Sequence, residues 1–351
     1  MEIVIRDEAN SRVRTETAAN GACMEILTDI KVVPVAFESM GVRSMCTYVE
    51  TADVKILLDA GASLCPNRFG LPPHPKEYAA LRECRSRILE LAQKADVVTV
   101  SHYHFDHHTP SFTDYASHWS TAKDAEKIYG GKVVLAKSFR SNVNPSQRQR
   151  GWMFHKTSGK TASRLESADG RTFIFGETSI RFSVPVCHGD EGSEMGWVLM
   201  AAIERGEERV LFAPDVQGPM SDRTANLVLK ERPALAIIGG PPVYLAQYRV
   251  SPQRIEEAML NLGAVAESVP TTVLDHHILR DADWKKTAQP AFDRSSSAGH
   301  TILTAAEYAR RTSSLLEAHR KTLYETEPPS PQFMEWTKAP LQERKKVPPP
   351  I

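Results

Sequence analysis

The sequence predicts an α/β fold in which sheet layers are covered by helices, and three observations carry that reading. Short β-branched or alternating runs recur along the chain. Amphipathic stretches stand between several of them, and residues with metal-binding chemistry gather where the runs stop. The densest gathering is Val97-Val98-Thr99-Val100-Ser101-His102-Tyr103-His104-Phe105-Asp106-His107-His108-Thr109-Pro110. Its β-branched opening reads as a strand buried on both faces. His102 and His104 stand two apart, so an extended backbone points both imidazoles to one side. Asp106 and His107 leave that line and are available to a second centre. Neutral imidazoles beside a carboxylate suit a borderline divalent ion such as zinc. A His-rich surface loop is the plain alternative. A structural zinc site fits less well, because such sites are Cys-rich and the chain has no CxxC.

The chain has 351 residues, 41% of them hydrophobic, enough for one large domain or two small ones. Its 43 Lys and Arg balance 43 Asp and Glu. That excludes a whole-molecule attraction to nucleic acid or acidic lipid but leaves room for a local patch. The cysteines, Cys23, Cys46, Cys65, Cys84 and Cys187, are scattered and odd in number. They argue against a disulfide framework and for a reducing cytoplasm. Met1–Glu8 lacks the basic-then-apolar order of a signal peptide, and no apolar run is long enough to span a bilayer. A cytoplasmic protein without a membrane partner is expected.

In chain order, residues 1–30 are polar and mixed in charge and read as a mobile or peripheral extension. A single domain is expected over 31–324. Lys31–Phe37, Ser44–Glu50 and Val54–Asp59 read as an antiparallel meander. After the proline-rich Cys65–Pro75, Lys76–Ala95 has helical apolar spacing at Tyr78, Leu81, Ile88, Leu89, Leu91 and Ala92. Residues 111–166 read as an insertion holding one short strand, Lys132–Ala136. Between Lys137 and Leu165 there are seven Lys or Arg and no acidic residue, with Phe139, Trp152 and Phe154 interleaved. That is an anion-facing patch or a solvated basic loop.

Strands resume at Thr172–Phe175 and Ser179–Val186, the latter leading to His188. Trp197–Ile203 and Arg209–Ala213 read as a hairpin that leads to Asp215. Ser221–Arg232 reads as a helix, Ala234–Ile238 as a strand, and Ser251–Gly263 as a helix capped by Ser251 with Pro252 in its first turn. Thr271–Leu274 is a strand leading into Asp275-His276-His277. Ala305–Tyr324 looks helical, and 325–351 is a Pro-rich, charged tail, pinned to the surface or disordered. The second half partly echoes the first without an assignable repeat. Ligand-type residues thus sit at four strand ends, where functional loops of layered folds gather. They suffice for two ions, with open positions for water, which is the catalytic pattern.

Leu57-Leu58-Asp59-Ala60-Gly61, the HxHxDH run His102–His107, then His188, Asp215 and His276 together resemble the metallo-β-lactamase superfamily of hydrolases. Met40–Met45, Phe69–Pro75, Ser101–Pro110 and Asp275–Asp281 resemble an uncharacterised, mainly archaeal branch of it. The resemblance implies a four-layer αββα sandwich with two metals at one edge. It implies His102, His104 and His188 on the first metal, Asp106, His107 and His276 on the second, and Asp215 bridging. It also makes Asp59 the residue that orients the metal loop; a turn aspartate before Gly61 is the alternative. Two departures stand out. The motif runs on as His107-His108-Thr109-Pro110 where many relatives have a glycine, which brings His108 beside the ligands. The last ligand is a doublet, in which His276 is preferred and His277 is kept as a supporting and catalytic candidate.

Two divalent ions, zinc first with iron or manganese as alternatives, bring the pKa of a shared water from ~15.7 toward neutrality. They also polarise a carbonyl or phosphoryl oxygen. Asp106 is a candidate to relay a proton to the leaving group. In the insertion, Arg148 and Arg150 suit phosphate oxygens and Trp152 suits a stacked base. A phosphodiester or nucleotide-type substrate, small and phosphorylated or single-stranded, is therefore expected. A lactone, thioester or carboxylic-ester hydrolase with the same metals, a di-iron redox protein and an inert scaffold are the alternatives.

Overall fold

A computed structural model of the chain describes residues 15–17, 23–25, 27–246 and 248–351. The side chains of each strand divide between two environments, and that division builds the layers. In Lys55–Leu58, Ile56 and Leu58 face a core shared by two sheets, while Leu57 faces helices. Val97 and Val98 divide the same way. This is the period-two pattern of a strand buried on both faces.

The first sheet holds six strands in chain order: Lys31–Phe37, Met45–Glu50, Lys55–Leu58, Val97–Val100, Val133–Ala136 and Arg164–Ser167. The first three pair antiparallel and the rest parallel. The second sheet runs Thr301–Leu303, Thr271–Asp275, Leu235–Gly239, Glu208–Ala213, Ala201–Arg205, Thr178–Phe182, Thr172–Phe175. Its first four strands are parallel and the rest form a meander. Each sheet is thus a meander passing into parallel strands, which gives the echo between the halves its physical form.

Phe37, Met45, Ile56 and Val97 of the first sheet pack on Ile180, Ile203, Phe212 and Ile237 of the second. Pro75–Lys94 and Ala122–Tyr129 cover the outer face of the first sheet. Asp222–Glu231 and Pro252–Ser268 cover that of the second, with Trp284–Ser297 packed beside the latter. The result is the four-layer αββα sandwich.

Local signals explain the helix starts. His74 and Glu77 form a capping box ahead of Pro75, and the Ser251 hydroxyl accepts from Arg254 N–H ahead of Pro252. The helix from Pro252 continues through Gly263 to Ser268, past the expected end, because Leu262, Val265 and Ala266 keep its buried stripe. Ala305–Tyr324 is not one helix. Ala305–Tyr308 and Arg320–Thr326 are helical, and Arg310, at φ 56°, turns the chain between them. The intervening chain is held at Ser314, whose N–H donates to Ser39 O at 2.7 Å. Trp284–Ser297 and Thr301–Leu303 went unread, since Pro290 and a serine run resemble a loop.

The extension expected over 1–30 lies mostly outside the described residues; Thr15–Thr17 pairs with Cys23–Glu25. The chain is tied down before the first strand, for Asp29 and Ile30 N–H both donate to the Glu208 carboxylate at 3.0 and 2.9 Å. The tail is pinned. Pro331–Lys338 buries Phe333 against Tyr78, with ring centroids 5.9 Å apart. No helix among the described residues is long and apolar enough to cross a membrane.

Two buried ion pairs anchor this C-terminal segment. Arg320 donates to Glu77 at 2.8 and 2.7 Å, and Arg43 to Glu317 at 2.7 and 2.6 Å. Burial alone raises the Glu317 pKa, but the charge and hydrogen bonds of Arg43 outweigh it and hold the carboxyl at about 2. A depressed folded-state pKa stabilises the fold above the unfolded value, and that contribution is lost as pH falls toward 2. From a reference of 4.5 the shift corresponds to on the order of 3 kcal/mol. Urea unfolding from pH 5 downward should therefore lose that much acid dependence in Glu317→Gln. An unchanged pH profile would show the pair contributes nothing.

Candidate metal centre

The ligand-type residues all leave C-terminal ends of strands. Asp59 follows Lys55–Leu58, His102–His107 follow Val97–Val100, His188 follows Val186–Cys187, and His276 follows Thr271–Asp275. Asp215 follows Glu208–Ala213. Asp59, Asp215 and His276 have left-handed backbone, at φ 48°, 48° and 67°. That conformation is uncommon outside glycine and turns each chain sharply as it leaves its strand. His102 and His104 reach one centre, as expected, but on a bent rather than an extended backbone. Tyr103 turns back into the core, its hydroxyl donating to Lys137 O at 2.5 Å. A single turn then follows, with His107 N–H donating to His104 O at 3.0 Å.

These residues converge on Asp215. Its Oδ2 lies 3.1 Å from His102 Nε2, 3.1 Å from His107 Nε2 and 3.0 Å from His188 Nε2. Its Oδ1 lies 3.1 Å from His276 Nε2 and 3.2 Å from His277 Nε2. Yet His102, His107, His188 and His277 Nε2 and Asp215 Oδ1 are buried atoms without a hydrogen bond. Such groups are costly to bury. Two atoms each bound to one tetrahedral zinc stand about 3.4 Å apart. Four groups have ligand atoms within 4.8 Å of one another: His102, His104, His188 with Asp215; Asp59, His102 with His107; Asp106, His107 with His276; and Asp215, His276 with His277. The donor set fits two divalent cations, with Asp215 between them.

Protonation follows the same logic. Burial pushes His102 well down and His104 to about 3, with neighbouring imidazole charges adding to it. Burial opposes ionisation of Asp106 and Asp215, but the charges on His107 and His276 outweigh it and hold both carboxyls low. His107 and His276 are raised despite burial, chiefly by Asp215. Protons there supply the positive charge that buried carboxylates require, the role a cation takes over on binding.

Hydrogen-bond partners fix which ring nitrogen is bare. Asp59 Oδ2 accepts from His107 Nδ1 at 2.8 Å, so Nε2 is the nitrogen left bare when His107 is neutral. The Ser101 hydroxyl donates to Asp59 and therefore accepts from His102 Nδ1, at 3.0 Å, which bares His102 Nε2. One buried carboxylate thus orients a ligand in each cluster.

The two rings of the doublet differ in their surroundings. His276 Nδ1 faces the carboxylate Glu38 Oε2 at 3.3 Å and Nε2 faces Asp106 and Asp215, with Arg280 Nη2 3.4 Å from both ring nitrogens. His277 Nδ1 instead accepts from Arg280 Nη1 at 2.9 Å, and guanidinium is only a donor. Neutral His277 therefore carries its proton on Nε2. His277 thus presents an N–H to the cleft, whereas His276 has a carboxylate beside its Nδ1.

The remaining residues of the sequence reading separate. His108 is buried, and its Nδ1 donates to His104 O at 2.9 Å, bracing the loop through backbone. Arg150 lines the cleft beside His104, Asp106 and His277, its guanidinium 4.6 Å over the Phe105 ring. Arg148 and Trp152 do not line it, so neither is part of the cleft wall with Arg150. The segment is a helix, Pro145–Lys156, not a loop, and Gln147, Gly151 and Phe154 form its buried face. At 100° per residue Arg150 and Trp152 point about 160° apart. The Asn144 cap ahead of Pro145 is the signal that would have shown this.

Glu38, Arg280, Tyr244 and Ser101 went unread. Arg280 donates to Glu38 at 3.0 Å and to the Tyr244 hydroxyl at 3.1 Å, both partners far away in sequence. Gly61 had been quoted only as part of a motif. A Cβ there would lie 2.3 Å from His108 N and 2.6 Å from His107 N, so the metal loop crosses it directly.

No family model matches the chain. A UPF0282 protein of Pyrobaculum islandicum is 45% identical over 299 residues, covering 84% of this chain and 94% of the relative. One from Korarchaeum cryptofilum is 39% identical over 308 residues, covering 88% and 99%. The chain belongs to the UPF0282 family. Among solved structures it is similar to the metallo-beta-lactamase fold protein YhfI from Bacillus subtilis. The TM-score is 0.47 at 15% identity, over 79% of this chain and 96% of that one. It is also similar to CmlA, a diiron beta-hydroxylase from Streptomyces venezuelae. There the TM-score is 0.43 at 16% identity, over 79% and 53%.

Removing an outer partner typically lowers metal affinity by about 10–100-fold. Asp59→Asn should show that loss in both clusters, measured by competition with a chromophoric chelator, while Asp59→Ala should do at least as badly. Gly61→Ala should lose metal more completely, since the backbone of the ligand loop must move. Full metal retention in both variants would contradict the assigned roles.

Proposed function

We propose that the protein is a hydrolase that uses two divalent cations, zinc foremost, on a phosphodiester or nucleotide-type substrate. The observation that carries the reading is the set of buried imidazole nitrogens without a hydrogen bond around Asp215 at the base of a cleft of about 1270 Å³. The cleft is large enough for a nucleotide-sized molecule. His102, His104 and His188 would hold one cation and Asp106, His107 and His276 the other, with Asp215 within reach of both groups. When bound, such a pair supplies a water that is deprotonated near neutral pH and a Lewis acid at the reacting oxygen.

The chain's own groups then divide the work. Arg150 has no ion pair among the described residues, and a half-buried guanidinium without a carboxylate suits phosphoryl oxygens. His277 Nε2–H, without a hydrogen bond of its own, is placed to donate to a substrate oxygen. Asp106, with its side chain 18% exposed against 1% for Asp215, is the carboxylate placed to pass a proton to the leaving group. Leu64, Met220, Leu245 and Val250 line the same cleft. They favour a second reading, a lactone, thioester or carboxylic-ester hydrolase. The unpaired Cys46, Cys65, Cys84 and Cys187 suit a reducing cytoplasm.

Metal analysis of purified protein, with a panel of phosphodiester, carboxylic-ester and thioester substrates, tests this. Zinc with diester turnover is the expected result; iron with no hydrolysis would favour redox chemistry. On the diester, Arg150→Met should lower kcat/KM about ten- to a hundredfold, the worth of a charged hydrogen bond. His277→Gln should lower kcat by about 10²–10⁴-fold while retaining metal. Unchanged kinetics in both would overturn the assignment.

A further inference from the structure

The basic, aromatic segment leaves one part unexplained by the cleft. On Pro145–Lys156, Arg148, Trp152 and Lys156 recur every fourth residue and form one stripe on the side away from the buried face. All three are exposed, Trp152 to 48%, and Lys156 Nζ lies 5.9 Å from the Trp152 ring. Arg148, Lys156, Arg140 and Lys160 have no ion pair among the described residues. The other basic residues nearby are committed: Lys137 to Asp169 at 2.7 Å and Arg164 to Glu166 at 2.8 Å. In a chain of zero net charge, this face is a concentrated cationic strip with an indole between two cations.

We infer that this face is a docking surface for single-stranded polynucleotide, which leads the strand over the helix to the Arg150 side of the cleft. Alternating cations and an exposed aromatic ring match alternating phosphates and base faces, the pattern of non-specific single-strand binding. Duplex hides its base faces and fits less well. The exposed surface runs on from the stripe through Gln149 and Met153 to Arg150. Around a helix about 10–12 Å across, that path is roughly 15–20 Å, too long for a mononucleotide to touch both ends. The helix is held firmly: Gln147 exchanges hydrogen bonds with Trp197 backbone at 3.2 and 3.3 Å, and Asn144 donates to Glu194 O at 2.8 Å. The inference rests on the phosphodiester reading for its purpose, but the surface itself does not need metal.

The test is fluorescence anisotropy with a labelled single strand of about 20 nucleotides, on chelator-treated full-length protein, beside Arg148→Glu/Lys156→Glu and Trp152→Ala. The charge-reversal pair should abolish binding, and Trp152→Ala should weaken it about five- to a hundredfold. The logarithm of the affinity should fall with the logarithm of salt by about 0.7 per phosphate contacted. Metal-loaded variants should turn over a small chromogenic diester as wild type does. Equal oligonucleotide binding in the variants, no binding at low salt, or equally tight binding of poly-glutamate would each overturn the inference. If wild type binds the strand but hydrolyses no diester, the catalytic reading fails and the docking surface stands.

Discussion

Asp215 is the constraint on which the rest of the site depends. A carboxylate with 1% of its side chain exposed stands about 3 Å from the Nε2 atoms of His102, His107, His188 and His276. Where those nitrogens are bare, lone pairs face carboxylate oxygens, and the contact is repulsive unless positive charge lies between. The raised His107 and His276 show protons filling that need from one side. Divalent cations fill it better, because each satisfies several donors at once. The strained backbone at Asp59, Asp215 and His276 is sustained by the same requirement, since each turn exists to aim a donor inward.

The sandwich supplies this geometry by making two similar sheets meet along their strand ends. The first brings Asp59 and the His-rich turn, and the second brings Asp215 and the His276 doublet. Contacts between remote parts of the chain then lock the halves together. Glu38 and Arg280 pair across 242 residues, and Arg43 and Glu317 across 274. The last of these reaches from the C-terminal segment to Arg43, which lines the cleft, so that segment braces the site's wall from behind. Buried pairs of this kind add little net stability against apolar packing, but losing one partner strands a charge. They make the position of the wall hard to change.

Much of this was legible in the residues. The HxHxDH spacing and the recurrence of ligands at strand ends need only the strand period and the chemistry of imidazole. The layers followed from runs such as Val97–Val100, which two covered faces require. What stayed hidden depended on partners remote in sequence. Glu38 carries no local signal, and nothing nearby in sequence shows that Arg280 reaches it. The basic segment failed for a different reason. Read as a loop, it lost its helical phase, and Arg148, Arg150 and Trp152 then appeared equivalent. The Asn144-Pro145 start restores the phase and separates one cleft residue from an outward stripe.

The doublet shows how far chemistry can go beyond position. His276 and His277 are both buried and both approach Asp215 Oδ1, at 3.1 and 3.2 Å, so distance does not distinguish them. Their outer neighbours do. Behind His276 stands the Glu38 carboxylate, and Arg280 Nη2 lies 3.4 Å from both nitrogens of that ring. A guanidinium behind the other accepts no proton, so the ring's proton stays on the inner nitrogen. Arg280 suits this because its fixed donor geometry serves His277, Glu38 and Tyr244 together, and it keeps its charge at any physiological pH. Adjacent residues of one type thereby stand in different electrostatic surroundings, one beside a carboxylate and the other against a guanidinium donor.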